Sequence, residues 1–188
     1  STLGSRPDVA FHFNPRYELG SVLSLWAAED VLLSGSPVLV MDADVLYHPS
    51  ILHRLVDTDI ENCYLLDRDF EPGDEPVKIA IRDGAMVEFR KQLKPGLTYD
   101  LLGEPVGFFR LGPAAAAAIC TECARFDAEG LGDAPHEEAL RNVLLRQPEW
   151  FGYEDVSGGP WIEIDFPEDV ARARDQILPA IRKDYPDF

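Results

Sequence analysis

Pro37-Val38-Leu39-Val40-Met41-Asp42-Ala43-Asp44 sets four consecutive apolar side chains directly before two carboxylates. A continuous apolar run of this length, with no polar alternation, reads as a strand buried on both faces, the kind an α/β sheet requires. In open α/β sheets ligands bind beyond the carboxyl ends of the strands, so Asp42 and Asp44 stand where a site is expected. If the strand continues through them, the period of two points both side chains the same way. Paired carboxylates suit a hard cation such as magnesium, held together with substrate phosphates. Asp is also a favoured turn residue, so a cap on the following turn or helix stands as the alternative reading.

Upstream, residues 8–13 (DVAFHF) alternate and run into Asn14-Pro15, which predicts a strand closed by a turn. Val22 to Leu33 has helical apolar spacing, with Ser21 as N-cap and Gly35 as stop. Downstream, Pro49 starts a helix, residues 63–66 read as a strand, and residues 77–90 read as a hairpin turning at Asp83-Gly84. Residues 105–111 form a further strand, Pro113 opens an alanine-rich helix, and His136 to Gln147 is helical. Two short strands, 151–156 and 161–165, precede an amphipathic helix that starts at Pro167. Strands alternating with helices predict an α/β fold with a mixed, mostly parallel sheet and helices on both faces. The 188 residues read as one domain, large enough for a real core.

Composition narrows the partners. With 34 acidic against 17 basic residues the formal charge is −17, a surface that repels nucleic-acid backbones and anionic lipid. The apolar runs stop short of a membrane span. Three cysteines are too few for a disulfide scaffold and fit a reducing compartment, so the expected location is the cytoplasm. The opening STLGSRPDVAF has no secretory pattern and reads like the end of a helix running into a strand, as though the chain began inside a longer protein.

A second acidic cluster follows Trp161: Trp161-Ile162-Glu163-Ile164-Asp165-Phe166-Pro167-Glu168-Asp169. Alone, Asp165 reads as a helix-start residue. With Asp44, one carboxylate from each of two strand ends would clamp a metal-bound triphosphate.

Asn14-Pro15-Arg16-Tyr17, Gly20-Ser21-Val22-Leu23-Ser24-Leu25-Trp26, the Asp42-Ala43-Asp44 strand end, Gly103-Glu104-Pro105-Val106-Gly107 and the Trp161-to-Asp169 segment occur in one order and spacing over most of the chain. In these features the sequence resembles the bacterial nucleotidyltransferases that act on sugar phosphates, phosphocholine or phosphonates. The resemblance implies a Rossmann-like, GT-A type sheet and a magnesium-dependent transfer, CTP favoured as donor, to a small phosphorylated acceptor with release of pyrophosphate. It implies Asp44 and Asp165 as metal ligands and Lys91 as the lysine near the acceptor phosphate, these three being the catalytic set. It further implies substrate contacts at Gly20 and Ser21 (base and ribose), Asp42, Lys78, Glu104, Gly107, Trp161 and Glu163. A homodimer and a single copy both remain open.

The chain departs from that family at its start. The family's glycine-rich triphosphate loop, its arginine and its later Pro-Lys have no counterpart beyond a faint echo in Gly4-Ser5-Arg6, so about the first third of the family domain is expected to be missing. Three other readings stand beside this one: a GT-A glycosyltransferase, a dehalogenase-like phosphatase with Asp42 as nucleophile and Asp44 as acid/base, and a non-catalytic binding domain. Cys120-x-x-Cys123 lies in the alanine helix without a second pair, and the four histidines, His12, His48, His53 and His136, are scattered. Tyr99, Phe108, Phe109, Trp150, Tyr153 and Trp161 would suit a quaternary ammonium if they faced the site, and are ordinary core residues otherwise.

Overall fold

The computed structural model describes residues 8–70, 73 and 76–186. In chain order the elements are α1 (Ser21–Trp26), α2 (Glu29–Leu32), β1 (Val38–Met41), β2 (Val45–Tyr47), α3 (Pro49–Asp57), β3 (Asn62–Asp67), β4 (Lys78–Arg82), β5 (Ala85–Arg90) and β6 (Leu101–Leu111). They continue with α4 (Pro113–Ala128), α5 (His136–Arg146), a 3-10 turn (Pro148–Trp150), β7 (Phe151–Asp155), β8 (Trp161–Glu163), α6 (Pro167–Arg172), a π-helical turn (Ala173–Ile177) and α7 (Leu178–Asp184).

All six residues of β3 are buried, because helices cover both of its faces. Tyr64 and Leu66 join the core built with α1, α2, α4 and α5, and Cys63 and Leu65 join Ile51 and Leu55 of α3 on the other face. β6 repeats this division, sending Phe109 and Leu111 to the first core and Val106 and Phe108 to the second. The strand order is β5-β4-β6-β3-β7, with β1 pairing the far end of β6. β2 and β8 form a separate two-stranded ribbon.

The α/β class, the mixed sheet and the helices on both faces are as the sequence predicts, but the parallel majority is not. Among the described residues only β3 and β7 pair in parallel; β1, β3 and β4 each run antiparallel to β6. Parallel neighbours need a crossover of a dozen or more residues. Here the Asp83-Gly84 turn joins β4 to β5, and among the described residues no helix lies between β3 and β6. β1 and β3, linked through α3, do run the same way, with β6 lying between them.

Other expectations are corrected locally. Residues 8–13 form no strand; Phe11 and Phe13 are 70% and 81% exposed, and among the described residues no strand pairs with them. β1 is half-covered rather than buried on both faces: Val40 packs on the first core, while Leu39 and Met41 are 41% and 37% exposed. The helix expected over Val22–Leu33 is two short ones, α1 and α2, and Gly20 is the N-cap of the first. The last helix is interrupted by the π turn. Pro179, in the first turn of α7, has no N–H and crowds the carbonyl four residues back, and a widened turn relieves both. The hairpin turn is as expected, Asp83 and Gly84 both adopting positive φ (51° and 79°).

Candidate functional site

The β2–β8 ribbon assembles the acidic centre. Val45 pairs with Glu163, Leu46 with Ile162 and Tyr47 with Trp161, and the Ile164 N–H donates to the Asp44 carbonyl at 2.9 Å. This register sets Asp44, just before β2, beside the end of β8. Carboxylate oxygens of Asp44, Glu163 and Asp165 lie within 4.8 Å of one another. Asp169, buried in the first turn of α6, accepts from the backbone N–H of Phe166 (2.9 Å) and of Asp165 (3.3 Å) and so holds the chain that presents Asp165.

Asp42 is turned elsewhere. The strand ends at Met41 and the backbone bends through Ala43, so the two aspartates do not share a strand face as the alternation predicts. The Asp42 N–H donates to the Gly107 carbonyl at 3.1 Å, and its carboxylate lies against Gly107 itself. Gly107 has φ +74°, and a Cβ there would stand 2.6 Å from Asp42 Oδ2, so only glycine fits. Burial raises the Asp42 pKa, Glu137 and Asp44 add to the rise, and His136 opposes it.

Asp42, Gly107, Glu163, Asp165 and Asp169 border an open cleft of about 870 Å³. Tyr64, Phe89 and Phe109 line its apolar side, and Asp67 and Glu104, directly paired across β3 and β6, line another. The Trp161 indole N–H donates to Asp67 Oδ2 at 2.7 Å, and Asp67 Oδ1 accepts from the Asp69 N–H at 2.8 Å. Glu104 is pushed up to about 7 by burial and by Glu163, Asp67 and Asp165, against the pull of Lys78. Loss of water contact and the carboxylates of Asp165, Asp44, Asp42 and Glu137 likewise push Glu163 up to about 7. Crowded acids of this kind favour a cation among them.

Helix α5 brings its first residues, His136 and Glu137, to the cleft. Two bidentate ion pairs hold it to β5, Arg90 with Glu138 and Arg141 with Glu88. Ser21 Oγ accepts from the His136 backbone N–H at 2.9 Å and lies 3.1 Å from His136 Nδ1, while the imidazole stacks on Phe109. Ser21 thus caps α5 rather than its own helix. Gly20 is packed against the Ala134 carbonyl where no Cβ would fit.

Of the residues singled out from sequence, Asp42, Lys91, Glu104, Gly107, Trp161, Glu163 and Asp165 line the cleft, and Asp44 joins the last two in the carboxylate trio. Gly20 and Ser21 lie behind the cleft wall and reach it through His136. The Lys78 ammonium donates to the carbonyls of Pro76 and Lys91, at 2.9 and 2.7 Å, bracing the open end of the β4–β5 hairpin. The cleft lining also holds Tyr64, Asp67, Glu137, Arg172 and, from the second acidic cluster, Asp169, none of which the sequence marks as a substrate contact. Asp67 is findable, since in the sequence it follows the apolar run 63–66 as Asp42 follows 38–41. Of the six aromatics considered for a quaternary ammonium, only Phe109 and Trp161 face the cleft. Cys120 and Cys123 are buried free thiols in α4, and His48 caps α3, accepting from the Ser50 N–H. Gly4-Ser5-Arg6 lies outside the described residues.

No protein-family model matches the sequence, and no curated protein matches it either. Solved structures do. The inositol-1-phosphate CTP transferase from T. maritima superposes with a TM-score of 0.67 at 16% identity, covering 90% of this chain and 65% of its own. A Bacillus anthracis protein assigned as a glucose-1-phosphate thymidylyltransferase gives 0.57 at 14% identity, over 90% and 62%. The mannose-1-phosphate geranyltransferase from Thermus thermophilus gives 0.50 at 17%, over 87% and 57%. The chain therefore has the fold of these transferases and spans less than two thirds of their length. Among the described residues no helix is long and apolar enough to cross a membrane.

Proposed function

We propose that the chain is a nucleotidyltransferase domain that moves a nucleotide monophosphate, CMP from CTP, onto a small phosphorylated alcohol, a phosphocholine-like compound or a phosphonate. The observation that carries this reading is the trio Asp44, Glu163 and Asp165 at a cleft in a fold shared with sugar-phosphate nucleotidyltransferases. The CTP transferase among the solved neighbours supports the choice of donor.

Three hard carboxylate oxygens within 4.8 Å of one another fit a magnesium ion, and Asp44, Glu163 and Asp165 are the residues that would hold it. When bound, magnesium neutralises phosphate charge and aligns the triphosphate. In the reaction an acceptor phosphate or phosphonate oxygen bonds to the α-phosphorus, the bond to the bridging oxygen of the β-phosphate breaks, and pyrophosphate leaves. A phosphate dianion needs no general base, since its second ionisation lies near pH 6. The work of the protein is then to bring two anions together and hold them in line. Lys91 and Arg172, at the cleft, supply positive charge on the protein's side, and Gly107 keeps the Asp42 carboxylate in place. Three free, buried cysteines support a reducing compartment, the cytoplasm.

The test is pyrophosphate release with magnesium, each nucleoside triphosphate being offered against phosphocholine, aminoethylphosphonate and sugar 1-phosphates. Release with CTP and one acceptor, abolished in Asp44→Asn, is the expected result. A folded protein silent with every pair contradicts the proposal.

A further inference from the structure

Two buried polar atoms of residues that line the cleft have no hydrogen-bond partner: Tyr64 Oη and Glu137 Oε2. Tyr64 is wholly buried on β3 between Phe89 and Phe109, with ring centroids 5.3 and 5.6 Å away. Glu137 Oε2 comes within 3.3 Å of His136 Nδ1 without a hydrogen bond to it. Leaving such atoms unpaired lowers stability, and native folds rarely do so.

The chemistry of the two atoms selects that partner. A carboxylate oxygen only accepts, so the group must donate; a phenol accepts or donates. Asp42, Glu104 and Glu163 also border the cleft, so positive charge is favoured. A quaternary ammonium has the charge but no N–H, and would leave both atoms unpaired. A neutral hydroxyl donates but brings no charge. A primary ammonium has both.

We infer that this end of the cleft is a subsite for a primary ammonium group, received by Glu137 and Tyr64. The inference rests on the reading of the cleft as a site for a phosphorylated acceptor, and it narrows that acceptor to one bearing a protonated amine.

Calorimetric titration with phosphoethanolamine, phosphocholine and glycerol phosphate tests it, because the three share a phosphate and differ in the remote group. Phosphoethanolamine should bind about tenfold or more tighter than the other two, the worth of a charge-assisted hydrogen bond. Glu137→Gln and Tyr64→Phe should each shrink that preference to about threefold or less. Tyr64→Phe removes a hydroxyl that bonds nothing, so its thermal midpoint should hold or rise; a fall would mean the hydroxyl is structural and would overturn its role. Phosphocholine binding as tightly as phosphoethanolamine, or a preference kept in both variants, overturns the subsite while leaving nucleotidyl transfer standing. Binding of none of the three overturns both.

Discussion

Gly107 shows how one backbone angle shapes the site. Its positive φ disfavours any side chain, and the space a Cβ would need belongs to the Asp42 carboxylate. Gly107→Ala should cost about 1–2 kcal/mol from the left-handed backbone alone, with more from displacing Asp42, read as a lowered thermal midpoint. A loss of only about 1–2 kcal/mol would mean that Asp42 moves aside freely, and an unchanged midpoint would contradict the backbone strain as well. Ser21 is the counterpart across the cleft wall. Ser21→Ala should remove the cap on the His136 N–H and cost about 1 kcal/mol, measured by denaturant unfolding. Local pattern marked Ser21 as important but assigned it to the wrong helix, because its partner is 115 residues away. The same limit applies to Asp42 and Asp44. Their place at a strand end was legible from the apolar run, whereas their divergence depends on where β6 and β8 meet that strand end.

Helix α5 carries His136 and Glu137 to the cleft, and β5 holds it there through two ion pairs. Glu88 and Arg141 are nearly buried, their side chains 4% and 11% exposed. Removing one partner leaves the other as a buried lone charge, so Arg141→Ala should destabilise the fold by about 3–5 kcal/mol. Burial works against ionising Glu88, but hydrogen bonds from Arg141 and the Phe89 N–H together outweigh it and hold its carboxyl below the ordinary value. Glu122 is in the same position, its burial outweighed by Arg125 and Arg146. Since both folded values lie below the unfolded ones, the stabilisation is complete above about pH 4.5 and is lost as pH falls through the folded values. Thermal midpoints taken from pH 6 to pH 3 should fall, and fall less steeply in Arg141→Ala. Equal slopes would remove this pair from the account. Elements such as α3, β3, α4 and the β4–β5 hairpin were legible because proline starts, glycine turns and apolar runs are local signals. The ribbon of β2 and β8 was not fully so: β2 is three residues long, and only its distant partner makes it a strand.

The whole chain carries a formal charge of −17, and its cleft concentrates part of that charge. Glu104 and Glu163, pushed up to about 7, keep protons in the fold that the unfolded chain has lost above about pH 4.5. Their contribution to stability therefore declines as pH rises from about 4.5 through about 7, and a bound cation reverses the decline. The metal-free midpoint should drop between pH 6 and pH 8, and magnesium should raise it more at pH 8 than at pH 6. The measurement that bears most directly on the site is calorimetric titration of the chain with magnesium at both pH values, beside Asp44→Asn, Glu163→Gln and Asp165→Asn. One saturable site, tighter at pH 8 and weakened about tenfold or more in each variant, is the predicted result. No saturable binding at pH 8, or binding unchanged in all three variants, would contradict the assignment of the carboxylate trio.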